Sequence, residues 1–259
     1  MVEGEATIRY NIRSSHGGIH MNIVNVEHVT KRYPSFTLDD VSFTLTKGQI
    51  VGFIGRNGAG KSTVIKAMLH LIALNQGQIT YFDLPLEKNE RAIKQRVGYA
   101  CGTIDYYPQK TIREIAQVTK IFYKSWDEDA YQRYLTLFEL DEKKKIKALS
   151  TGMKVKCQLL LALSHQAELL ILDEPTSGLD PFSRDQLLDL FQLLKKQGVT
   201  IFFSTHFISD LEKCADQVIY IHHGRIKAQC ALTDFYKQFG HDQESLEEIF
   251  LRLERGDHS

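Results

Sequence analysis

Eight consecutive residues, Gly55-Arg56-Asn57-Gly58-Ala59-Gly60-Lys61-Ser62, fit the pattern G-x-x-x-x-G-K-[ST] without a mismatch. The chemistry they imply is a grip on a triphosphate. Gly55, Gly58 and Gly60 let the backbone take conformations closed to other residues and bring its N–H groups up to phosphate oxygens. Lys61 supplies a positive charge for the β and γ phosphates, Ser62 a hydroxyl for Mg²⁺, and a helix opening at Lys61 the positive end of its dipole. A second segment, Leu169-Leu170-Ile171-Leu172-Asp173-Glu174, is an apolar strand ending in two carboxylates. Asp173 is suited to hold Mg²⁺, directly or through water, and Glu174 to polarise an attacking water. Paired acids after a strand are often only a solvated turn, and it is the phosphate loop in the same chain that favours the chemical reading. The loop alone specifies no more than a nucleoside triphosphate, since kinases, GTPases and transport ATPases share it.

These groups need elements to position them. Gly48–Ile54 (GQIVGFI) is a continuous apolar run entering the glycine-rich turn, so strand, loop and helix follow one another as the motif requires. Residues 169–172 and 200–203 read as strands buried on both faces of a parallel sheet. Between them, residues 180–196 carry leucines and Phe191 at helical spacing. Residues 22–45 alternate apolar and polar side chains, the pattern of half-buried antiparallel strands. Residues 111–165 hold several helical periods and no clear strand. The expected fold is α/β: a phosphate-loop NTPase core with a parallel sheet, an N-terminal antiparallel β-subdomain and an inserted helical subdomain at about residues 103–165. Leu246, Ile249, Phe250 and Leu253 at helical spacing predict a terminal helix docked by one face, and Trp126 reads as a packing residue of the helical part.

Composition excludes several classes. The 259 residues hold 32 Lys and Arg against 32 Asp and Glu, which argues against a polybasic arm and a nucleic-acid partner. No apolar run approaches the ~18 residues of a transmembrane helix. The four cysteines, Cys101, Cys157, Cys214 and Cys230, have neither metal-ligand spacing nor secreted-framework density, so they read as reduced thiols of a cytosolic protein. Residues 1–20 lack the roughly 7–15 residue apolar core of a signal peptide and are treated as an appendage, disordered or a tag, to a unit spanning 21–255.

Over residues 22–255 the chain resembles the nucleotide-binding domain of the ATP-binding cassette (ABC) family. The decisive segment is Leu149-Ser150-Thr151-Gly152-Met153, lying between the phosphate loop and the acidic strand. It is similar to the family signature LSGGQ, departing from it at Thr151 and Met153. The resemblance implies that Ser150 and Gly152 face the γ phosphate held by an opposite protomer, a sound site for an anion at a helix N-terminus. It further implies that Gly55 to Thr63 contact nucleotide and that Tyr33 stacks on adenine. Asp180, in Ser177-Gly178-Leu179-Asp180, would cross a dimer interface, and His206 would contact the γ phosphate. With Lys61 and Glu174, His206 completes the expected catalytic set. One departure stands out: where the family has a glutamine after the strand matching Val97-Gly98-Tyr99, this chain has Gly102, which lacks a side chain for that role.

The resemblance therefore implies ATP and Mg²⁺ as ligands. It implies a homodimer or heterodimer of cassettes and a separate transmembrane permease at the inner face of the cell membrane. LSTGMK, residues 123–127 and SLEEIF are most similar to single-cassette bacterial exporter ATPases. A soluble ABC ATPase that regulates or remodels a cytosolic complex is the competing reading, followed by a nucleotide sensor that does not hydrolyse.

Overall fold

The two strand patterns build two different sheets. The computed structural model describes residues 21–101, 107–241 and 244–255; Gly102 and residues 1–20 lie outside them. In chain order the elements are β1 (Asn22–Arg32), β2 (Thr37–Thr46), β3 (Ile50–Ile54), α1 (Lys61–Met68), β4 (Gln76–Tyr81), β5 (Leu84–Pro85), α2 (Leu86–Lys94) and β6 (Val97–Cys101). They continue with α3 (Ile112–Phe122), α4 (Glu128–Leu137), α5 (Thr151–Ser164), β7 (Leu169–Asp173), α6 (Pro181–Lys196), β8 (Thr200–Thr205) and α7 (Ile208–Cys214). The chain closes with β9 (Gln217–His222), β10 (Arg225–Ala231), α8 (Leu232–Phe239) and α9 (Leu246–Arg255).

The alternating segments form an antiparallel sheet of order β2-β1-β4-β5. The continuously apolar ones form a six-stranded sheet of order β10-β9-β3-β8-β7-β6, in which only the β9–β10 pairing is antiparallel. This is the α/β architecture expected from the sequence. Because side chains alternate along a strand, each central strand serves two cores. Val51, Phe53, Ile171, Phe202 and Ile219 point to the side covered by α1 and the antiparallel sheet. Ile50, Ile54, Leu170, Leu172, Ile201 and Phe203 point to the side covered by α5, α6, α7 and α9. No hydrophilic face remains, which is why these runs lack alternation.

The helical part is held by local chemistry as well as packing. Thr111 and Glu114 form a reciprocal capping box at the start of α3, and Asp127 caps α4 through Ala130 N–H at 2.9 Å. Trp126 packs there, with its ring 5.7 Å from that of Tyr131 and its indole N–H donating to Glu128 at 3.1 Å. α5 joins this part to the sheet: Gln158, buried, accepts from the Cys101 N–H at 2.9 Å and donates to the Cys101 carbonyl at 2.6 Å. In α9, Leu246, Ile249 and Leu253 are buried as the spacing requires. Cys157 and Cys214 are free thiols that burial pushes up to about 12, which leaves them protonated and inert.

The two sheets meet through an aromatic cluster in which the Phe202 ring lies 5.2 Å from Phe53 and 5.8 Å from Phe43. Phe202→Ala removes a fully buried ring from this junction. Chemical denaturation should register a loss of about 3–5 kcal/mol, with the variant still helical by circular dichroism.

Candidate active site

β3 delivers the chain into the phosphate loop, and neighbouring atoms explain two of its glycines. A Cβ on Gly55 would sit 2.4 Å from the carbonyl oxygen of Ile221 on β9, so only hydrogen fits. Gly60, which precedes α1, has φ of 115°, outside the range of an L side chain. The loop closes on itself through Ala59 N–H donating to the Arg56 carbonyl at 3.0 Å. Lys61 is buried and folds back over it, its ammonium donating to the Gly55 carbonyl at 2.6 Å and the Arg56 carbonyl at 3.3 Å. Burial lowers the Lys61 pKa, and the carboxylates of Glu174, Asp173 and Glu254 oppose that shift.

Parallel register brings the second segment alongside. Ile54 pairs with Thr205 and Asp173 with Ser204, so the chain leaves β3, β7 and β8 at one edge. Glu174 follows β7 with φ of 48°, a left-handed conformation that costs a non-glycine residue about 1 kcal/mol or more. Ser204 holds it there: its hydroxyl accepts the Glu174 N–H at 2.9 Å and donates to the Asp173 carboxylate at 2.7 Å. The Glu174 carboxylate then lies 3.9 Å from the Lys61 ammonium and 3.3 Å from Nδ1 of His206. Beneath it, fully buried Asp210 accepts from Thr176, Thr205 and Arg184, which ties the turn after Glu174 to β8 and α6.

A cavity of about 440 Å³ opens over these groups, lined by Ser35, Phe36, Arg56, Asn57, Gly58, Gly60, Lys61, Ser62, Thr63 and Glu174. Buried Ala59 lies behind it, against His222 and His223. Tyr33 is not among the lining residues; it is 39% exposed, with the Lys31 ammonium 5.4 Å from its ring centre. Its N–H donates to the Phe36 carbonyl, in a turn that brings Phe36 to the cavity wall. Ser150, Gly152 and Asp180 also lie apart from this cavity. Ser150 caps α5 through the Met153 N–H at 3.3 Å, and Gly152 lies against Leu179 and Ser183. Asp180 caps α6, accepting from the N–H groups of Phe182 and Ser183 and the Ser183 hydroxyl, bonds that hold its carboxyl below the usual range. One chain thus brings the phosphate loop, the acidic pair and His206 together, and leaves the signature segment outside.

The profile of the ABC transporter family matches residues 38–177. The chain is 36% identical over 208 residues to the bacitracin transport ATP-binding protein BcrA of Bacillus licheniformis, covering 79% of this chain and 68% of that protein.

The chain is a member of the ABC transporter family.

It is also 32% identical to the ABC-type transporter ATP-binding protein EcsA of Bacillus subtilis (strain 168), over 92% of this cassette and 98% of that protein. A solved ATP-binding subunit of an ABC transporter superposes with a TM-score of 0.80 at 31% identity, covering 89% of the cassette and 99% of that chain. The cassette is accordingly an ATP-binding unit of a family that hydrolyses ATP to power transport.

Ser204 and Phe36 escaped the motif reading, although each left a trace. Ser204 is the first polar residue after Ile201-Phe202-Phe203 in a strand buried throughout, and a buried hydroxyl needs partners. Ser204→Ala strands the Glu174 N–H and frees Asp173 while barely changing volume. Steady-state ATPase assays should register a roughly tenfold or greater fall in kcat, in keeping with the loss of a group that orients a ligand.

Proposed function

We propose that the cassette is the ATP-hydrolysing motor of an exporter-type transporter, acting on a separate membrane subunit. The observation that carries the reading is the Glu174 carboxylate, 3.3 Å from His206 and 3.9 Å from Lys61 at the mouth of the phosphate-loop cavity. With ATP seated, Lys61 exchanges its loop carbonyls for β and γ phosphate oxygens. Phe36 and Tyr33 supply the only aromatic rings of the β1–β2 turn, where the base would rest. Glu174 orients water for in-line attack and His206 steadies the charge on the transferred group, since phosphoryl transfer is mostly positioning and electrostatics.

The donors suit a hard cation. Ser62 offers a hydroxyl and Asp173 a carboxylate, both oxygen ligands, and the described residues contain no cluster of three or more His, Cys, Asp or Glu able to hold a metal unaided. Mg²⁺ would therefore arrive with the nucleotide and be held by Ser62, Asp173 and phosphate oxygens. It would supply charge neutralisation of the phosphates.

Ser150 and Gly152 are offered at the start of α5, away from the cavity of their own chain. A second cassette docked head to tail would bring them to the γ phosphate, so that ATP binding joins two chains and hydrolysis releases them. Transport needs a bilayer path, and no helix among the described residues is long and apolar enough to cross a membrane. A groove of about 460 Å³ between the sheet core and the helical part supports a docked partner there. Its rim includes Leu71, Val118 and Phe122, which is 68% exposed, with Ile121 beside them at 79%. Exposed apolar side chains so concentrated mark an interaction surface. Export is favoured by relatives named for bacitracin transport and linearmycin resistance. In this reading the cassette sits at the cytoplasmic face of the cell membrane.

Glu174→Gln should keep ATP affinity, reduce kcat at least about a hundredfold, and accumulate ATP-dependent dimers by size-exclusion chromatography. Undiminished turnover would remove Glu174 from its assigned role. Phe122→Glu should abolish co-purification with a polytopic membrane protein while leaving ATP affinity intact. A wild-type cassette that fractionates with no membrane protein would favour a soluble regulatory ATPase instead.

A further inference from the structure

The last helix reaches the phosphate loop. Leu246, Ile249 and Leu253 bury one face of α9, and Glu254, next in the chain, falls at the edge of that face against β9. Its side chain is only 6% exposed. A carboxylate so buried is costly unless its oxygens are matched. One oxygen accepts the Tyr220 hydroxyl at 3.0 Å; the other lies 3.2 Å from Nδ1 of His222 and 4.0 Å from Nε of Arg56. The hydrogen bond adds to burial in raising the Tyr220 pKa, which keeps that hydroxyl a donor.

Arg56 is the second residue of the phosphate loop, and its carbonyl is a junction within it. It accepts both the Ala59 N–H and the Lys61 ammonium. Its side chain lies between two spaces, the 440 Å³ cavity and a smaller one of about 170 Å³ bounded by His222, His223 and Glu254. From the same side, the β9–β10 turn donates Gly224 N–H to the Ala59 carbonyl at 3.0 Å. The loop is therefore backed by two pieces of the C-terminal region, one through a main-chain bond and one through a charge. The apolar face of α9 docks through Leu246, Ile249 and Leu253, with the Phe250 ring 5.7 Å from that of Tyr220. One oxygen of the carboxylate adds to that contact through Tyr220, whereas the other faces His222 and Arg56, which border the loop.

We propose that Glu254 is a positioning residue for nucleotide binding: it holds Arg56, and with it the turn whose carbonyl cradles Lys61, in the form that receives the triphosphate. The C-terminal helix is then part of the ATP site's support through this one carboxylate, and not through the apolar face by which it docks.

The test uses the full chain and three variants, Glu254→Gln, Arg56→Gln and the double variant, with ATP affinity measured by titration of a fluorescent ATP analogue, kcat and KM by ATPase assay, and Tm by calorimetry. Glutamine keeps an oxygen for the Tyr220 hydroxyl and removes the charge. Glu254→Gln is expected to weaken analogue binding and raise KM about three- to fivefold, the scale of a partly exposed ion pair, with kcat little changed. The double variant should bind no worse than the weaker single variant, because both remove one interaction. Leu253→Ala, which loosens the helix and spares the carboxylate, should lower Tm with a smaller effect on affinity. Wild-type affinity in Glu254→Gln, losses that multiply in the double variant, or an equal loss in Leu253→Ala would each overturn the proposal. Failure of the wild-type chain to bind the analogue would instead count against the ATP site itself.

Discussion

The parallel register of β3, β8 and β7 is the constraint on which the site depends. Ile54 lies beside Thr205 and Ser204 beside Asp173, so three chain segments leave the sheet at one edge and must find room together. The loop after β3 gains that room by having no side chain at Gly55, where the carbonyl of Ile221 stands in the way. The turn after β7 gains it by taking a left-handed conformation at Glu174, held by the Ser204 hydroxyl. A slip of one residue in either pairing would reverse the faces of the strand, exchanging Phe53 for Ile54 or Phe202 for Phe203 between the two cores. Burial on both faces thus fixes the register, and the register fixes which residues meet.

Charge within the site follows from the same geometry. Lys61 is the buried cation of the phosphate loop, facing Glu174 directly and the fields of Asp173 and Glu254 from further off. Its position is tolerable without nucleotide because two loop carbonyls accept its protons. These are main-chain acceptors, so a phosphate oxygen can replace them without stranding another side chain. The overall balance of 32 acidic and 32 basic residues conceals this arrangement, since the relevant field belongs to a few groups in low dielectric.

What the sequence discloses and what it hides divide along chain distance. The loop from Gly55 to Ser62 is contiguous, so its pattern can be read, as can the buried runs of β7 and β8 and the alternation of β1 and β2. Residues 217–224, which form β9 and the turn after it, carry no comparable motif; their importance comes from lying behind the loop in space. Ser204 matters through Asp173, across two strands, and Glu254 through Arg56, from the far end of the chain. Phe36 shares a segment with Tyr33, and only the turn between β1 and β2 decides which ring meets the cavity. Periodicity can say that α9 docks by Leu246, Ile249 and Leu253. It cannot say what the residue beside that face will touch.

The residues that lie apart from the cavity differ in how free they are to serve a second chain. Asp180 accepts three hydrogen bonds within its own helix start, which also hold its carboxyl below the usual range. Giving them up for an intermolecular contact would cost the cap of α6 three bonds at once. Ser150 makes one cap bond, to Met153 N–H at 3.3 Å, and a cap of this kind is worth only about 1 kcal/mol. A phosphate oxygen arriving at the same helix end could take over the N–H groups while the hydroxyl turns to donate, so little is lost in the exchange. In the proposed dimer of cassettes, Ser150 would therefore be suited to change partners as nucleotide binds and leaves, and Asp180 to keep the start of α6 rigid beside it.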